Sequence, residues 1–412
     1  MSLDWPIAAV AACGHAALVV GIINVSHGLG LRDRGRAAFA KLLLLGTIWA
    51  ISGLLAWEVS QGPWWTWSWP VSAYALACTA TALIGLPIIT LVRLFRRIPP
   101  GISGHASVLD LAEAHGRRAL IGEGRRSWLL RLPGNESLRL RKHDWEVMVP
   151  GLPHACDGLS LVHVSDLHLA RCFRREFFEA VADESAAWDA DLILFTGDLI
   201  DDDRALDWVV PVLGRLRGKL GTFGILGNHD FDHHPDRVRD ALADAGFTDL
   251  EGRWTQVDVA GSTWAVGGTS YPWGARLDLQ SPPEADFRLL LSHSPDQYPR
   301  AVRGGIDLML SGHNHGGQVR FPVIGPVFMP SLYSRRFDRG FFRSGRTLMH
   351  VSQGVAGKHP VRYGCLPEIS RLVLRAAIPS PATPPVVESR SRPTAALHPN
   401  SSECMVNSFE AE

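Results

Sequence analysis

A chain of 412 residues exceeds one ordinary domain, so two or three folded units are expected. Its 41 basic and 41 acidic side chains cancel, which excludes a polybasic nucleic-acid binder and an acidic disordered chain. The zero is an average over unlike parts. Residues 1–92 carry four Lys/Arg against three Asp/Glu, and residues 93–150 carry eleven against six. Residues 151–375 carry 24 against 28, and the remainder two against four.

Three apolar stretches come first. Residues 6–25 and 71–92 contain no Asp, Glu, Lys or Arg, and residues 37–57 contain only Lys41, placed where its stem can reach an interface. Each has about 20 residues, enough at about 1.5 Å per residue to cross a hydrocarbon core. The first five residues lack the basic start of a signal peptide, and two further spans follow, so membrane helices are expected. Arg32, Arg34 and Arg36 lie between the first two spans, with Lys41 near the start of the second, and Arg93, Arg96 and Arg97 follow the third. The positive-inside rule then puts the N-terminus outside and everything after the third span in the cytoplasm of a cell with this protein in its inner membrane. Trp64, Trp65, Trp67 and Trp69 fall where an outer aromatic belt would sit. His15 and Asn24, polar within or beside the first span, are expected to bond from helix to helix. The basic segment at 93–150 reads equally as a surface for anionic lipid or as a solvated linker. No CxxC spacing occurs among the six cysteines, so neither a zinc ribbon nor a disulfide framework is suggested.

The chemistry begins near Gly158. Five times an apolar, strand-like run stops at metal-type ligands. LSLVHVS (159–165) runs into Asp166 and His168; DLILFT (191–196) into Asp198 and Asp201; and GTFGIL (221–226) into Asn228, His229 and Asp230. FRLLLS (287–292) meets His293, and IDLMLS (306–311) meets His313 and His315. Helical patterns at 174–188, 205–216, 236–245 and 296–302 separate several of these runs. Such βα alternation collects residues distant in sequence at the carboxyl ends of parallel strands. Glycines 197, 227 and 312 stand at the strand-to-loop turns, where the backbone must bend and approach closely. Asp, Asn and His without Cys make a mixed oxygen and nitrogen donor set, suited to Mn, Fe or Zn. The donors are too many for one ion and about right for two that share a carboxylate.

In order, D-x-H, G-D-x-x-D, G-N-H-D, a lone His and G-H-x-H resemble the calcineurin-like metallophosphoesterases, over residues 145–375. SDLHL, LSGHNHGGQV and VSQGVAGKHPVRYGCLPEI look closest to the bacterial membrane-associated branch. The resemblance implies a four-layer α/β/β/α sandwich and two divalent metal ions with a bridging hydroxide. It implies one metal on Asp166, His168, Asp198 and His315, and a second on Asp198, Asn228, His293 and His313. His229 would be the general acid or a phosphate ligand, oriented by Asp201. The second sheet is expected to take the hairpin at 255–268 and the strands TLMHVS and ISRLVL. Arg335, Arg336 and Arg339 are the best candidates to grip a distal phosphate, and His359 with Arg362 to approach the substrate. His163 reads as core or filler, and His233 and His234 as solvated. Protein phosphatases of the family read GDxxDRG, whereas residues 198–203 here read DLIDDD, which argues against a phosphoprotein substrate. The UDP-diacylglucosamine pyrophosphatases carry Arg where this chain keeps His229, which weakens that assignment.

The expected organisation is a membrane domain of three transmembrane helices (1–92), a basic juxtamembrane linker (93–144), a metallophosphoesterase domain (145–375) and a disordered tail (376–412). The expected partners are the membrane and a phosphoester, lipid-like or membrane-delivered, with no nucleic acid. A catalytically silent membrane scaffold is the competing reading, and the complete donor set counts against it.

Overall fold

The computed structural model describes residues 4–30, 34–63 and 66–377. The expected tail from residue 378, Arg32, and Trp64 and Trp65 of the tryptophan loop lie outside these residues. Helices α1 (Asp4–Gly28), α2 (Arg34–Gln61) and α3 (Trp69–Leu94) come first. Within them, Ala8–Gly28, Leu42–Gln61 and Trp69–Leu94 are each long and apolar enough to cross a membrane. Protein covers little of this apolar surface: Leu42, Trp49, Leu76 and Val92 are all exposed. Helices apolar all round and uncovered by protein are satisfied by lipid. At Gly14 a Cβ would stand 1.8 Å from the Cys78 carbonyl oxygen, so glycine sets the approach of α1 to α3. His15 bonds the Tyr74 hydroxyl of α3 (2.8 Å) through Nδ1 and the Ser52 hydroxyl of α2 (2.9 Å) through Nε2, joining the three helices as expected.

Fifteen strands follow among the described residues. They are β1 (Ile102–Asp110), β2 (Arg139–Val149), β3 (Ser160–Val164), β4 (Leu192–Phe195), β5 (Gly221–Gly224) and β6 (Thr248–Asp249); then β7 (Trp254–Val259), β8 (Ser262–Thr269), β9 (Phe287–Ser292), β10 (Leu308–Ser311), β11 (Arg320–Phe321) and β12 (Gly325–Pro326); and last β13 (Gly340–Ser344), β14 (Thr347–Val351) and β15 (Glu368–Ala376). One sheet has the order β1-β2-β15-β3-β4-β5-β6 and another β13-β14-β10-β9-β8-β7, while β11 and β12 form a separate ribbon. The strands β3, β4 and β5 are mutually parallel, as are β8, β9, β10 and β14.

The two-residue period of a strand sorts the core into three apolar layers. Leu161, Leu192 and Leu194 of the first sheet meet Leu289, Leu291, Leu308 and Leu310 of the second between the sheets. The alternate residues Val162, Ile193 and Phe195 face outward onto Phe177, Phe178 and Val181 of the helix Arg175–Ala186 and onto Val238 and Leu242 of the helix Pro235–Asp244. Leu290, Met309 and Met349 face the opposite way, onto Tyr298 and Ala301 of the helix Tyr298–Arg303. Three apolar layers between two sheets and two helical flanks make the α/β/β/α sandwich. His163 lies in its interior, with Nδ1 3.0 Å from His350 Nδ1 and Nε2 bonded to the Thr196 hydroxyl, and burial pushes it down to about 3. It is therefore a neutral core residue.

Two expectations are corrected. Residues 93–144 are not a linker: β1 pairs with β2 along nine residues, and β2 pairs in parallel with β15. Leu111, Leu120, Leu130 and Leu140 from this stretch are buried in the helical-side core. Much of the basic charge is engaged, with Lys142 on Glu184 (2.5 Å) and Arg126 on the Lys358 carbonyl (2.9 Å). ISRLVL, within β15, belongs to the first sheet rather than the second, antiparallel to β3. The strand TLMHVS and the hairpin at 255–268 do join the second sheet.

If residues 102–149 are part of the folded core, Leu140→Ala should cost about 2–5 kcal/mol, as for a buried leucine whose site cannot fully collapse. Chemical denaturation of the detergent-solubilised protein reads this, and a change within about 0.5 kcal/mol would instead mark a solvated segment.

Candidate metal centre

All seven candidate ligands lie just beyond the carboxyl ends of β3, β4, β5, β9 and β10, where both sheets open onto one rim. They form two groups that share a carboxylate: Asp166, His168, Asp198 and His315, and Asp198, His293 and His313, with ligand atoms in each within 4.8 Å of one another. Asn228 joins the second through Oδ1, 3.0 Å from His293 Nε2. The chain makes tight turns to achieve this. Of the ten described non-glycine residues with positive φ, five are candidate ligands: Asp166 (55°), His168 (44°), Asp198 (56°), His313 (68°) and His315 (47°). Each such conformation costs about 1–3 kcal/mol and persists where the surroundings over-determine it. At Gly227 a Cβ would fall 2.1 Å from Asp198 Oδ1, and at Gly312 2.3 Å from Asp166 Oδ2, so both positions require glycine.

The hydrogen bonds fix which nitrogen carries the proton in three of the four imidazoles, His168, His293 and His313. His293 Nδ1–H donates to the Thr196 carbonyl (2.8 Å), and His313 Nε2–H to the Pro330 carbonyl (2.8 Å), since a carbonyl can only accept. Neutral His293 then turns its Nε2 lone pair toward His313 Nδ1 at 3.1 Å, and Asp198 Oδ1 lies 3.4 Å away. His168 Nδ1–H donates to Asp201 (2.9 Å), leaving its Nε2 lone pair 3.4 Å from Asp198 Oδ2 and 3.2 Å from His315 Nε2. Lone pairs and carboxylates thus converge on two points without a matching supply of protons. This donor set fits a divalent cation at each.

Electrostatics agree. Burial pushes the Asp166 carboxyl upward, with Asp198 adding to it, a cost that a cation between them would offset. Burial also disfavours charge on His293 and His229, yet Asp198, joined at His229 by Asp201, outweighs it and raises each to about 9; at His293 the same negative pull would hold a cation in place of the second proton. Burial would raise the Asp201 carboxyl, but His168 and His229 hold it well below the usual range. One of its oxygens takes His168 and the other accepts from His229 Nδ1–H at 2.5 Å, leaving His229 Nε2 free.

These groups open into a cavity of about 470 Å³ whose walls include Asp198, Asn228, His229, Lys358 and His359. Several expectations fail here. Arg335, Arg336 and Arg339 do not line the cavity; Arg339 bonds Gln353 (2.8 Å), and Arg336 lies over Phe337. Arg362 is fully buried, donating to the Gln353 and Ala356 carbonyls, and so braces the loop rather than meeting a substrate. His233 is half-buried on Asp203 (2.9 Å), while His234 is exposed. Among the described residues Asn24 bonds no other membrane helix, though it reaches the Ser334 hydroxyl (3.3 Å). Its Nδ2 donates to the Val327 carbonyl (3.0 Å), and its Oδ1 accepts from Met329 N–H (3.0 Å), on the loop whose Pro330 carbonyl orients His313.

Sequence reasoning also missed partners. Thr196 and Pro330 act through their carbonyls, which leave no side-chain signature. Trp273, whose ring lies 4.6 Å from that of His313, follows no motif. Asp230 was legible as part of GNHD but without a role. Buried and pushed up to about 6 by burial and Asp198, it accepts from the N–H groups of Leu199, Ile200 and Gly227, tying two ligand loops together.

Comparison with known proteins gives concordant matches. The calcineurin-like phosphoesterase family matches residues 159–317. The chain is 31% identical to the uncharacterized metallophosphoesterase YkuE of Bacillus subtilis, over 54% of this chain and 82% of that one. It is 29% identical to the phosphodiesterase YaeI of Escherichia coli, over 52% and 81%. A Bos taurus "transmembrane protein with metallophosphoesterase domain" is 29% identical over 56% of each chain.

Proposed function

Because the chain belongs to the calcineurin-like metallophosphoesterase family, a family of phosphoester hydrolases, we propose that it is a membrane-anchored, dinuclear metal-dependent phosphoesterase. The observation that carries the dinuclear reading is the pair of donor groups joined at Asp198, each with imidazole lone pairs aimed inward. Asp166, His168, Asp198 and His315 would hold one ion, and Asp198, Asn228, His293 and His313 the other. Mn, Fe and Zn all suit these donors. When bound, the cations supply Lewis acidity, activating water and offsetting charge on the phosphoryl oxygens.

The chain's own residues do the rest. Asp201 fixes both His168 and His229 through one carboxylate, so ligand and proton donor keep a constant relation. His229, bonded through Nδ1 and charged at neutral pH, offers its Nε2 proton to the departing alkoxide. Lys358, on the cavity wall, supplies a further positive charge near the phosphoryl group. The three apolar helices support an anchor and a membrane-delivered substrate. The ends of α1 and α3 that contact the catalytic layers are those flanked by Arg32, Arg34, Arg36, Arg96 and Arg97. Positive-inside then favours a cytoplasmic catalytic face in the inner membrane, with the N-terminus outside.

Chelation of the solubilised protein should abolish hydrolysis of bis-p-nitrophenyl phosphate or p-nitrophenyl phosphate, and Mn²⁺ should restore it. Full activity at near-zero metal content would overturn the mechanism. His229→Ala should lower kcat about 10²–10⁴-fold for an ester with an alkoxide leaving group, and markedly less for p-nitrophenolate, which needs no proton. An equal loss on both would remove His229 as the acid. For orientation, Ser68→Cys should react with a membrane-impermeant maleimide in intact cells above the background of the native chain, and Ser344→Cys only after lysis. The reverse pattern would invert the topology.

A further inference from the structure

The catalytic cavity is not closed by the sandwich alone. Besides the metal-centre residues, its wall includes Ser26 and His27 of α1, Leu29 just beyond it, and Leu44 of α2. One side is therefore charged and polar, while the other, formed at the ends of membrane helices, adds the apolar Leu29 and Leu44 beside Ser26 and His27. The junction is built closely. Asn24, only 3% exposed, is bonded to the 327–329 backbone. A Cβ at Gly28 would stand 2.5 Å from Leu332 N, and one at Gly30 2.2 Å from the Pro272 ring, beside Trp273. At the same end of the bundle, Arg96 of the segment after α3 bonds Asp338 (2.7 Å) and the Arg339 carbonyl (2.8 Å).

The sandwich also presents an apolar rim on this face. Phe321, Val323, Ile324 and Phe328, on and after the β11–β12 ribbon, are 51–63% exposed, and Leu332 is 41% exposed. Such a patch on a water-soluble surface would be a liability, but beside helices that cross a bilayer it is wetted by lipid. The bilayer surface then lies at the cavity mouth.

From this arrangement we infer that the site takes an amphiphilic phosphoester, whose phosphoryl group enters the metal centre while its aliphatic tail stays in the bilayer, leaving past Leu29 and Leu44 between α1 and α2. The inference rests on the phosphoesterase reading of the same site and adds the substrate class. Each tail methylene that leaves water contributes to binding, so selectivity must climb with chain length until the tail clears the protein wall. A water-soluble nucleotide or sugar phosphate would gain nothing from that wall.

The test uses the full chain in phospholipid nanodiscs with Mn²⁺. Two homologous series are compared from two to ten carbons, below their aggregation limits: n-alkyl phosphates and n-alkyl p-nitrophenyl phosphates. Whichever series is turned over, kcat/KM should rise at least about tenfold from the shortest to the longest member. Leu29→Ser and Leu44→Ser, singly and together, should reduce that ratio at least about threefold. Leu54→Ser, on an exposed part of α2 remote from the cavity, should leave the ratio unchanged and so corrects for simple partitioning into the disc. Leu29→Trp, which fills the exit rather than removing apolar surface, should shift the preferred length downward. A flat chain-length profile, with good turnover of short esters, overturns the amphiphile inference and leaves the phosphoesterase reading intact. A steep profile that the Leu29 and Leu44 variants do not alter also overturns it. If neither series nor p-nitrophenyl phosphate is hydrolysed with any added divalent metal, the phosphoesterase reading fails and the inference falls with it.

Discussion

Asp198 carries a negative charge where almost no water reaches it, and the surrounding structure is arranged to make that tolerable. It is 1% exposed and belongs to both ligand groups. Burial alone would push its carboxyl up, but His293 and His229 outweigh this and hold it well below the usual range. Its Oδ1 accepts from the His229 backbone N–H (2.9 Å). Asp230 draws three further N–H groups of the adjoining loops into place, and Gly227 leaves the space that a side chain would take. An isolated buried charge is expensive, and one shared by imidazoles, backbone donors and cations is not. The left-handed conformations at five candidate ligand positions follow from the same demand, because these side chains must turn back over the strand ends to face one another.

How much of this was legible in the sequence depends on the range over which each feature is decided. Parallel strands buried on both faces read as unbroken apolar runs, so β3, β4, β5, β9 and β10 stood out, and each run ended at its ligands. β1 did not: six of its nine residues are exposed, as suits an edge strand, and ISGHASVLD offers no alternation. β2 was hidden by its charges, which are neutralised only by distant partners, such as Asp144 by Arg371 and Lys142 by Glu184. The run ISRLVL would suit the inner face of either sheet. Its place beside β3 is settled by pairing across some 200 residues of chain, which no local pattern encodes.

The candidate side-chain ligands were readable, but the groups that orient them were not. His293 and His313 take their tautomers from the carbonyls of Thr196 and Pro330, and every residue has a carbonyl. The arginines of LYSRRFDRG suggested an anion grip from composition alone, yet the segment serves a structural purpose: Arg339 bonds Gln353, and buried Asp338 takes Arg320 and Arg96 from elsewhere in the chain. A charge cluster names a potential; only its neighbours say whether a ligand or another part of the chain satisfies it.

Asn24 lies 303 residues before Val327, yet the two are bonded, and three residues further on the same loop steadies His313. Seating the first helix and holding that imidazole are thus two loads on one short segment. Free-energy coupling of this kind is reciprocal: whatever firms the loop at Pro330 strengthens the seat at Asn24 by the same amount, and a helix drawn from its seat loosens the imidazole equally. A bilayer that positioned the helix and an ion that bound the ring would in that sense be two ligands of one protein, each registering the other's presence.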